Sequence, residues 1–257
     1  MTDAVSVIGV PGAETADRGQ LVDAVETLGG RAYAGPLDEL LPADTGSTAP
    51  DVDALLAIGS DGLRAIASRR PDVPVLPIDA GAGVPSVSRD AARDAIAAVV
   101  EGAATTEPAP LLEVAIDGQR HTTAYREVTL ITAEPAKISE FEIGGGAAGE
   151  LDTVRADGVI VATPAGSHGY AAAGEGPLLE ADTGLAIVPV APFRTDRSRW
   201  VVPVETVSVR VQRDEAAVTV EADGEILATV GRGAELSLTP TATMGVLVVE
   251  ASAISRP

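Results

Sequence analysis

The pattern of apolar residues changes character near residue 101, and that change restricts the chain to a few architectures. On the N-terminal side, apolar runs alternate with helical spacings. Val5–Val10, Ala54–Ile58 and Val73–Ile78 are short apolar runs suited to buried strands. Leu21, Val22, Val25 and Leu28 recur at helical spacing, and Gly29-Gly30 ends that helix. Further helices are predicted near Leu63–Arg69 and over Ala91–Glu101, the latter capped by Asp90. Alternation of strand and helix argues for a parallel sheet covered by helices.

Beyond Glu101 the helical spacing gives way. Gly102–Pro110 is small and proline-bearing and reads as a linker. From there to Leu238 short strands dominate, punctuated by Asp117-Gly118, Gly144-Gly145-Gly146, Asp157-Gly158 and Asp223-Gly224. Val204–Val211 and Ala217–Glu221 alternate in part, and Glu225–Val230 follows Asp223-Gly224 as the second arm of a hairpin. The expected fold class is an α/β N-terminal domain plus a β-rich C-terminal domain. Its boundaries fall at residues 1–105, 106–240 and 241–257, the last part holding a strand at Val246–Val249.

A chain of 257 residues with 46% hydrophobic content buries a sizeable core. With no cysteine it has no disulfide framework, thiolate metal site or thiol nucleophile. No apolar run approaches membrane-spanning length, and Met1–Val10 lacks a basic start and a cleavage pattern. A soluble cytoplasmic protein with no membrane partner is expected. The formal net charge is −20, and Lys137 is the single lysine. A field of that sign repels nucleic acid and favours cationic partners. The acidic residues are nevertheless dispersed, alanine is abundant and aromatic content is only 2%. That combination favours adaptation to a salty cytoplasm, where carboxylates keep the surface hydrated. Most acidic residues then carry no catalytic message.

Asp157–Leu179 says most about function. Val159–Ala162 reads as a buried strand running into Thr163-Pro164-Ala165-Gly166-Ser167. There Pro164 stops strand pairing and Gly166 lets the backbone turn or approach a ligand. Ala171–Gly174 suggests a short, closely packed helix. Its N-terminal amides, with the hydroxyls of Thr163 and Ser167, are expected to face the strand's exit and bind a polar ligand, with Tyr170 placed to stack on a base. A plain glycine-rich joint accounts for the glycines but not for the whole string.

The string resembles the Asp-Gly…Thr-Pro-Thr-Gly-Ser-Thr-Ala-Tyr…Gly-Gly-Pro signature of the NAD kinase family. Asp157, Gly158, Thr163, Pro164, Gly166, Ser167, Tyr170, Gly176 and Pro177 match it in order. Ala165 and His168 stand where the family has threonine, Gly169 stands for alanine, and Glu175 for the first glycine of the late pair. The resemblance implies a ligand cleft between an α/β and a β-rich domain, and a segment 241–257 that returns to the first domain. It also implies phosphoryl transfer from ATP or polyphosphate to the adenosine ribose 2′-hydroxyl of NAD, magnesium held mainly by the phosphates, and a homo-oligomer.

Gly59-Ser60-Asp61-Gly62-Leu63 follows a buried strand and opens a helix, where backbone amides can hold phosphates. Its place matches the family's Gly-Gly-Asp-Gly-Thr motif. By that resemblance Asp61 is the general base and Gly59, Ser60 and Gly62 lie at the nucleotide. Ser60 and Leu63 depart from the pattern and bear on the donor site. Asp79, in Pro77-Ile78-Asp79-Ala80-Gly81, stands for the family's asparagine. It is either a ribose-hydroxyl acceptor or a turn aspartate after a strand. Glu127 matches the family's Asn-Glu motif, with Arg126 in place of asparagine. Arg126 either redirects the base preference or pairs with a neighbouring carboxylate, whereas Glu127 reads as a ribose or base contact.

Asp223-Gly224-Glu225 resembles the family's Asp-Gly-Gln motif but reads first as a hairpin turn. His121 and His168 are too few for a histidine metal site, and Arg194, Arg197 and Arg199 are either anion-facing or solvated. Ser60, Leu63, Asp79 and Arg126 also permit an alternative function, a non-catalytic dinucleotide-binding paralogue acting as a sensor. A related phosphotransferase with another acceptor is a third reading.

Overall fold

The computed structural model describes residues 7–12, 16–42, 50–146, 149–193 and 199–254. Packing divides the chain into two compact units. One runs to Ala109 and resumes at Met244, and the other spans Pro110–Thr243.

The first unit contains β1 (Val7–Pro11), α1 (Ala16–Thr27), β2 (Arg31–Gly35), α2 (Leu37–Leu40), β3 (Ala54–Ile58), α3 (Gly59–Ser68), β4 (Val75–Ile78), β5 (Pro85–Ser86) and α4 (Ala92–Val100). The strands pair in parallel in the order β2-β1-β3-β4. Val246, returning from the far end of the sequence, pairs in parallel with Val75. β4 is buried throughout, as a central parallel strand covered on both faces must be. Helix α4 buries Ala92, Ala95, Ile96 and Val99, the i, i+3, i+4, i+7 spacing of one helical face, into a cluster with Ile8, Leu56 and Leu76. Burying a side chain such as Ile96 contributes about 1.5–3 kcal/mol.

Strand β2 and the short α2 were not legible, because Arg31–Gly35 is a largely exposed strand without an apolar run. Helix α3 begins at Gly59 rather than near Leu63, so the Gly-Ser-Asp-Gly segment is its first turn. Asp90 does not cap the third helix. A single 3₁₀ turn, Arg89–Ala91, precedes α4, and the Ser88 hydroxyl accepts the Ala91 N–H at 3.3 Å.

The second unit is built from β6 (Thr105–Ile116), which starts in the first unit, β7 (Gln119–Ala124), β8 (Glu127–Thr132), β9 (Ser139–Gly145), β10 (Gly149–Ala156), β11 (Gly158–Ala162), α5 (Tyr170–Ala173), β12 (Leu185–Val190), β13 (Trp200–Val202), β14 (Val207–Arg213), β15 (Val218–Ala222), β16 (Glu225–Val230) and β17 (Glu235–Val248). After β17, β18 (Ala253–Ile254) pairs with β5. The residues read as a linker are partly strand. Thr105–Pro110 opens β6 with exposed or half-exposed positions, which hid any alternation.

Within this unit one antiparallel array runs β10-β9-β14-β17, with the β6–β7 hairpin attached to β17, and a second runs β13-β12-β11-β8-β15-β16. Strands β9, β14 and β15 bury alternate residues, the period-2 pattern of a sheet with one face inward. Phe141, Ile143, Val209, Leu130, Val161 and Val220 meet in one core between the arrays. Strands β11 and β12 are different, being buried on both faces. Val159, Val161, Leu185 and Ile187 enter the inter-sheet core. Ile160, Ala162, Ala186 and Val188 pack instead beneath Ala171 and Leu179. The stretch after β11 thus covers the outer face of the β11–β12 pair.

Candidate functional site

Strand β11 delivers the chain to a tight corner at Thr163. The Thr163 N–H donates to the Arg126 carbonyl at 2.8 Å. Its hydroxyl lies 2.7 Å from the Tyr125 carbonyl and 3.0 Å from that of Arg126. Gly166 follows in such close approach that a Cβ there would stand 2.0 Å from the Arg126 carbonyl oxygen, so no other residue fits without displacing that backbone. The Ser167 hydroxyl donates to the Pro164 carbonyl at 2.7 Å and accepts the Leu179 N–H at 3.0 Å, tying both ends of the covering segment together. His168 is packed, with Nδ1 3.2 Å from that hydroxyl.

This geometry corrects one expectation. The Thr163 and Ser167 side chains are fully buried, and their hydroxyls bond inward to the backbone of the corner rather than toward its exit. The helix N-terminus is also occupied. The Glu127 carboxylate accepts the N–H groups of Tyr170 at 3.2 Å and Ala171 at 3.3 Å, so the opening of the four-residue α5 is capped from within. Tyr170 is 43% exposed.

Sequence reasoning passed over Asp223 as a turn residue, and it is one. Asp223 (φ 49°) and Gly224 (φ 81°) have the two positive φ angles of a type I′ hairpin turn joining β15 to β16. Its carboxylate, however, accepts three consecutive amides, from Tyr125 at 2.8 Å, Arg126 at 2.8 Å and Glu127 at 3.0 Å. The available signal was its match to the family's Asp-Gly-Gln motif. Burial pushes the Glu127 and Asp223 carboxyls above the ordinary range, opposed by the amides each accepts and by the charge of Arg126. Burial likewise pushes the Tyr125 phenol upward.

In the first unit the strand order reverses between β1 and β3, where open parallel sheets form a crevice at their carboxyl ends. A cavity of about 310 Å³ lies there, lined by Gly12, Arg18, Leu37, Ile58 and Gly62 among others. The chain leaves β3 at Gly59 (φ 71°) and turns directly into α3. Ser60 and Asp61 are exposed in that first turn, and Ser60 keeps a φ outside the left-handed region. Leu63 is 1% exposed and belongs to the buried face of α3, so its apolar side chain serves packing.

Asp79 stands just past the end of β4 in the left-handed region (φ 50°), and its carboxylate accepts Arg89 Nε at 2.8 Å. Arg89 also pairs with Asp17 of α1. Gly59, Ser60, Asp61, Gly62 and Asp79 are therefore gathered at the carboxyl ends of two neighbouring strands, β3 and β4, of one sheet. Arg126, Glu127, Thr163, Gly166, Ser167 and Tyr170 form the corner of the second unit. Asp157 does not join them. It is exposed at the opposite end of β11, six residues or about 20 Å of extended chain from Thr163. Arg199 is held by the Gly174 carbonyl at 2.7 Å and the Glu175 carboxylate at 3.3 Å, while Arg194 and Arg197 lie outside the described residues.

Comparison with known proteins places these features in context. The ATP-NAD kinase C-terminal domain family matches residues 125–245. An NAD kinase of Methanospirillum hungatei is 31% identical over 215 residues, covering 80% of this chain and 77% of the relative. An NAD kinase of Methanosarcina barkeri is 32% identical over 180 residues, covering 68% of this chain. The chain spans 65% of the length of that relative and 64% of its Methanosarcina acetivorans counterpart. Two solved structures share the fold. A yeast NADH kinase complexed with NADH superposes with a TM-score of 0.76 at 16% identity, covering 97% of this chain and 85% of that one. An NAD kinase from Archaeoglobus fulgidus in complex with ATP gives 0.71 at 22% identity, covering 95% and 94%.

Proposed function

The chain belongs to the NAD kinase family, and we propose that it transfers the terminal phosphoryl group of ATP or polyphosphate to the adenosine ribose 2′-hydroxyl of NAD, producing NADP. The observation that supports this reading is the exposed Asp61 in the first turn of α3, at the carboxyl end of the first unit's parallel sheet beside its cavity, and the packed Thr163–Tyr170 corner of the second unit supports it separately. Asp61 accepts the proton of the 2′-hydroxyl as that oxygen bonds to the terminal phosphorus. The bond to the bridging oxygen breaks, and ADP or a shortened polyphosphate leaves with its electron pair. A positioned carboxylate suits this role because phosphoryl transfer depends chiefly on placement and charge stabilisation.

Gly59, Ser60 and Gly62 approach the donor phosphates, and the Tyr170 ring stacks on a base of the acceptor. Arg126 and Glu127 stand beside that base, and Thr163, Gly166 and Ser167 hold the corner rigid. Asp79 is a candidate for a ribose contact, whereas Asp157, at the far end of β11, is given no contact. Among the described residues no group of three His, Cys, Asp or Glu side chains stands close enough to hold a metal. A protein cage for magnesium does not fit among these residues. Magnesium then arrives with the phosphates, as is usual for that ion.

The division proposed is an α/β domain over 1–105, a dinucleotide-binding domain over 106–240 and a tail over 241–257. A cytoplasmic homo-oligomer adapted to salt, with no nucleic-acid or membrane partner, completes the reading. No described helix is long and apolar enough to cross a membrane. The test incubates the purified protein in high salt with magnesium, ATP and NAD. NADP and ADP should form in equal amounts. Tight NAD binding with no NADP from either ATP or polyphosphate would replace the kinase with a dinucleotide sensor.

A further inference from the structure

Tyr125 and Arg126 join β7 to β8, which Glu127 opens, and the backbone of these three residues is claimed from two sides. Its carbonyls at Tyr125 and Arg126 receive the Thr163 hydroxyl, and that of Arg126 also receives the Thr163 N–H. Its three amides all converge on the Asp223 carboxylate. The Asp223 N–H in turn donates to the Glu127 carbonyl at 2.9 Å, which locks the hairpin tip to the segment. Three consecutive amides pointing one way form a concave, electropositive nest. A carboxylate, with two oxygens and about four acceptor sites, satisfies all three, whereas a neutral turn residue cannot. A type I′ turn by itself asks only for residues that tolerate positive φ, which asparagine and glycine meet as well. The charge at Asp223 therefore answers to the segment rather than to the turn.

The Glu127 side chain carries the constraint onward. Its carboxylate holds the Tyr170 and Ala171 amides, and Tyr170 presents the exposed ring. We propose that Asp223 is a positioning residue for the dinucleotide site, fixing the 125–127 backbone so that Glu127 aims the Tyr170 ring. This rests on the reading that NAD occupies the Thr163–Tyr170 corner. Asp223 touches no substrate in this scheme. It sets acceptor affinity from the β15–β16 hairpin tip, through two successive carboxylate-to-amide clamps.

The test uses the full chain with Asp223→Ala and Asp223→Asn. In Asp223→Ala, losing the charged acceptor should raise the NAD Michaelis constant about tenfold or more while kcat changes little. Amide exchange of Tyr170 and Ala171 should accelerate by a similar factor, with exchange in β9 and β14 unchanged. Asp223→Asn keeps one oxygen for Arg126 and Glu127 but turns an amino group toward the Tyr125 N–H. It should give an intermediate effect on both readouts at an unchanged melting temperature, and this variant carries the test if alanine unfolds the unit. Unchanged exchange at Tyr170 and Ala171 in both variants would overturn the proposal, as would a uniform loss of protection across β9 and β14 in Asp223→Asn. If the wild type neither binds NAD nor forms NADP, the kinase reading fails, and the exchange measurement still decides the relay.

Discussion

Arg89 donates from Nε to the Asp79 carboxylate at 2.8 Å, across ten residues that leave β4 and return at the start of the 3₁₀ turn before α4. The same guanidinium reaches Asp17, and the two carboxylates hold its pKa above the ordinary arginine value. All three side chains are close to half exposed, so screening leaves little of this attraction as fold stability. Its effect is local. Asp79 brings a negative charge to the edge where phosphates are proposed to bind, and Arg89 compensates it.

Arg89→Ala should therefore leave the melting temperature unchanged and raise the Michaelis constant for ATP several-fold. The increase should shrink with added salt, because exposed charges are screened within about 10 Å at 0.1 M. Steady-state kinetics at two salt concentrations check this, and a melting temperature that falls with unchanged kinetics would make the pair purely structural.

Asp61→Asn keeps the shape of the side chain and removes its basicity. Turnover should fall by about a hundredfold or more, the usual worth of a positioned base, with NAD affinity within a few-fold of wild type. Calorimetric binding alongside NADP formation separates the two effects, and unchanged turnover removes Asp61 from the mechanism.

Leu63→Thr would restore the family's residue, yet Leu63 is packed into the α3 face. The change deletes buried methyl contacts and adds a hydroxyl there, so it should cost about 2–4 kcal/mol of stability. Urea denaturation measures this. A gain in ATP affinity without that loss would mean the side chain turns toward the donor.

Two levels of the molecule were unequally legible in the sequence. Apolar runs such as Ala54–Ile58 and Val159–Ala162 announced their strands because both faces of those strands are buried. Arg31–Gly35 and Thr105–Pro110 gave no such signal, since exposed positions impose no pattern on composition. At the site, residue identities were readable but the directions of their bonds were not. Thr163 and Ser167 looked like ligand hydroxyls because a short polar side chain beside glycine reads the same whether it faces out or in. Only the distant carbonyl of Tyr125 and amide of Leu179 decide that they face in. Asp223 was obscured by the opposite effect, a local turn signal strong enough to hide a contact made some 97 residues away.

Tyr170→Ala changes a residue that is 43% exposed, so the fold should lose little. Dinucleotide affinity should fall by about 1–3 kcal/mol, the range for an aromatic stacked on a base. Full affinity with a collapsed melting temperature would assign the ring to the core.

The two sheltered carboxyls of Glu127 and Asp223 predict a pH trend. Their folded pKa values lie above the unfolded ones, so the folded state binds more protons between the two. Stability from these groups is complete below the ordinary carboxylate value, about 4, and declines as pH rises through the raised folded values. Glu127→Gln should flatten that decline, which melting curves between pH 4 and about 7 would reveal. A decline of unchanged steepness would trace it to the dispersed surface charge instead.

The stretch from Thr163 to Leu179 is also the outer cover of the β11–β12 pair, through Ala171 and Leu179 over Ile160, Ala162, Ala186 and Val188. A lineage that abandoned catalysis would still have to keep this cover or lose its fold, so the signature can outlive the reaction it accompanies. Exposed groups are under no such obligation. Asp61 and Tyr170, the proposed base and the proposed stacking ring, hold no core together, and their persistence in a descendant would be the better witness that selection still acts on turnover.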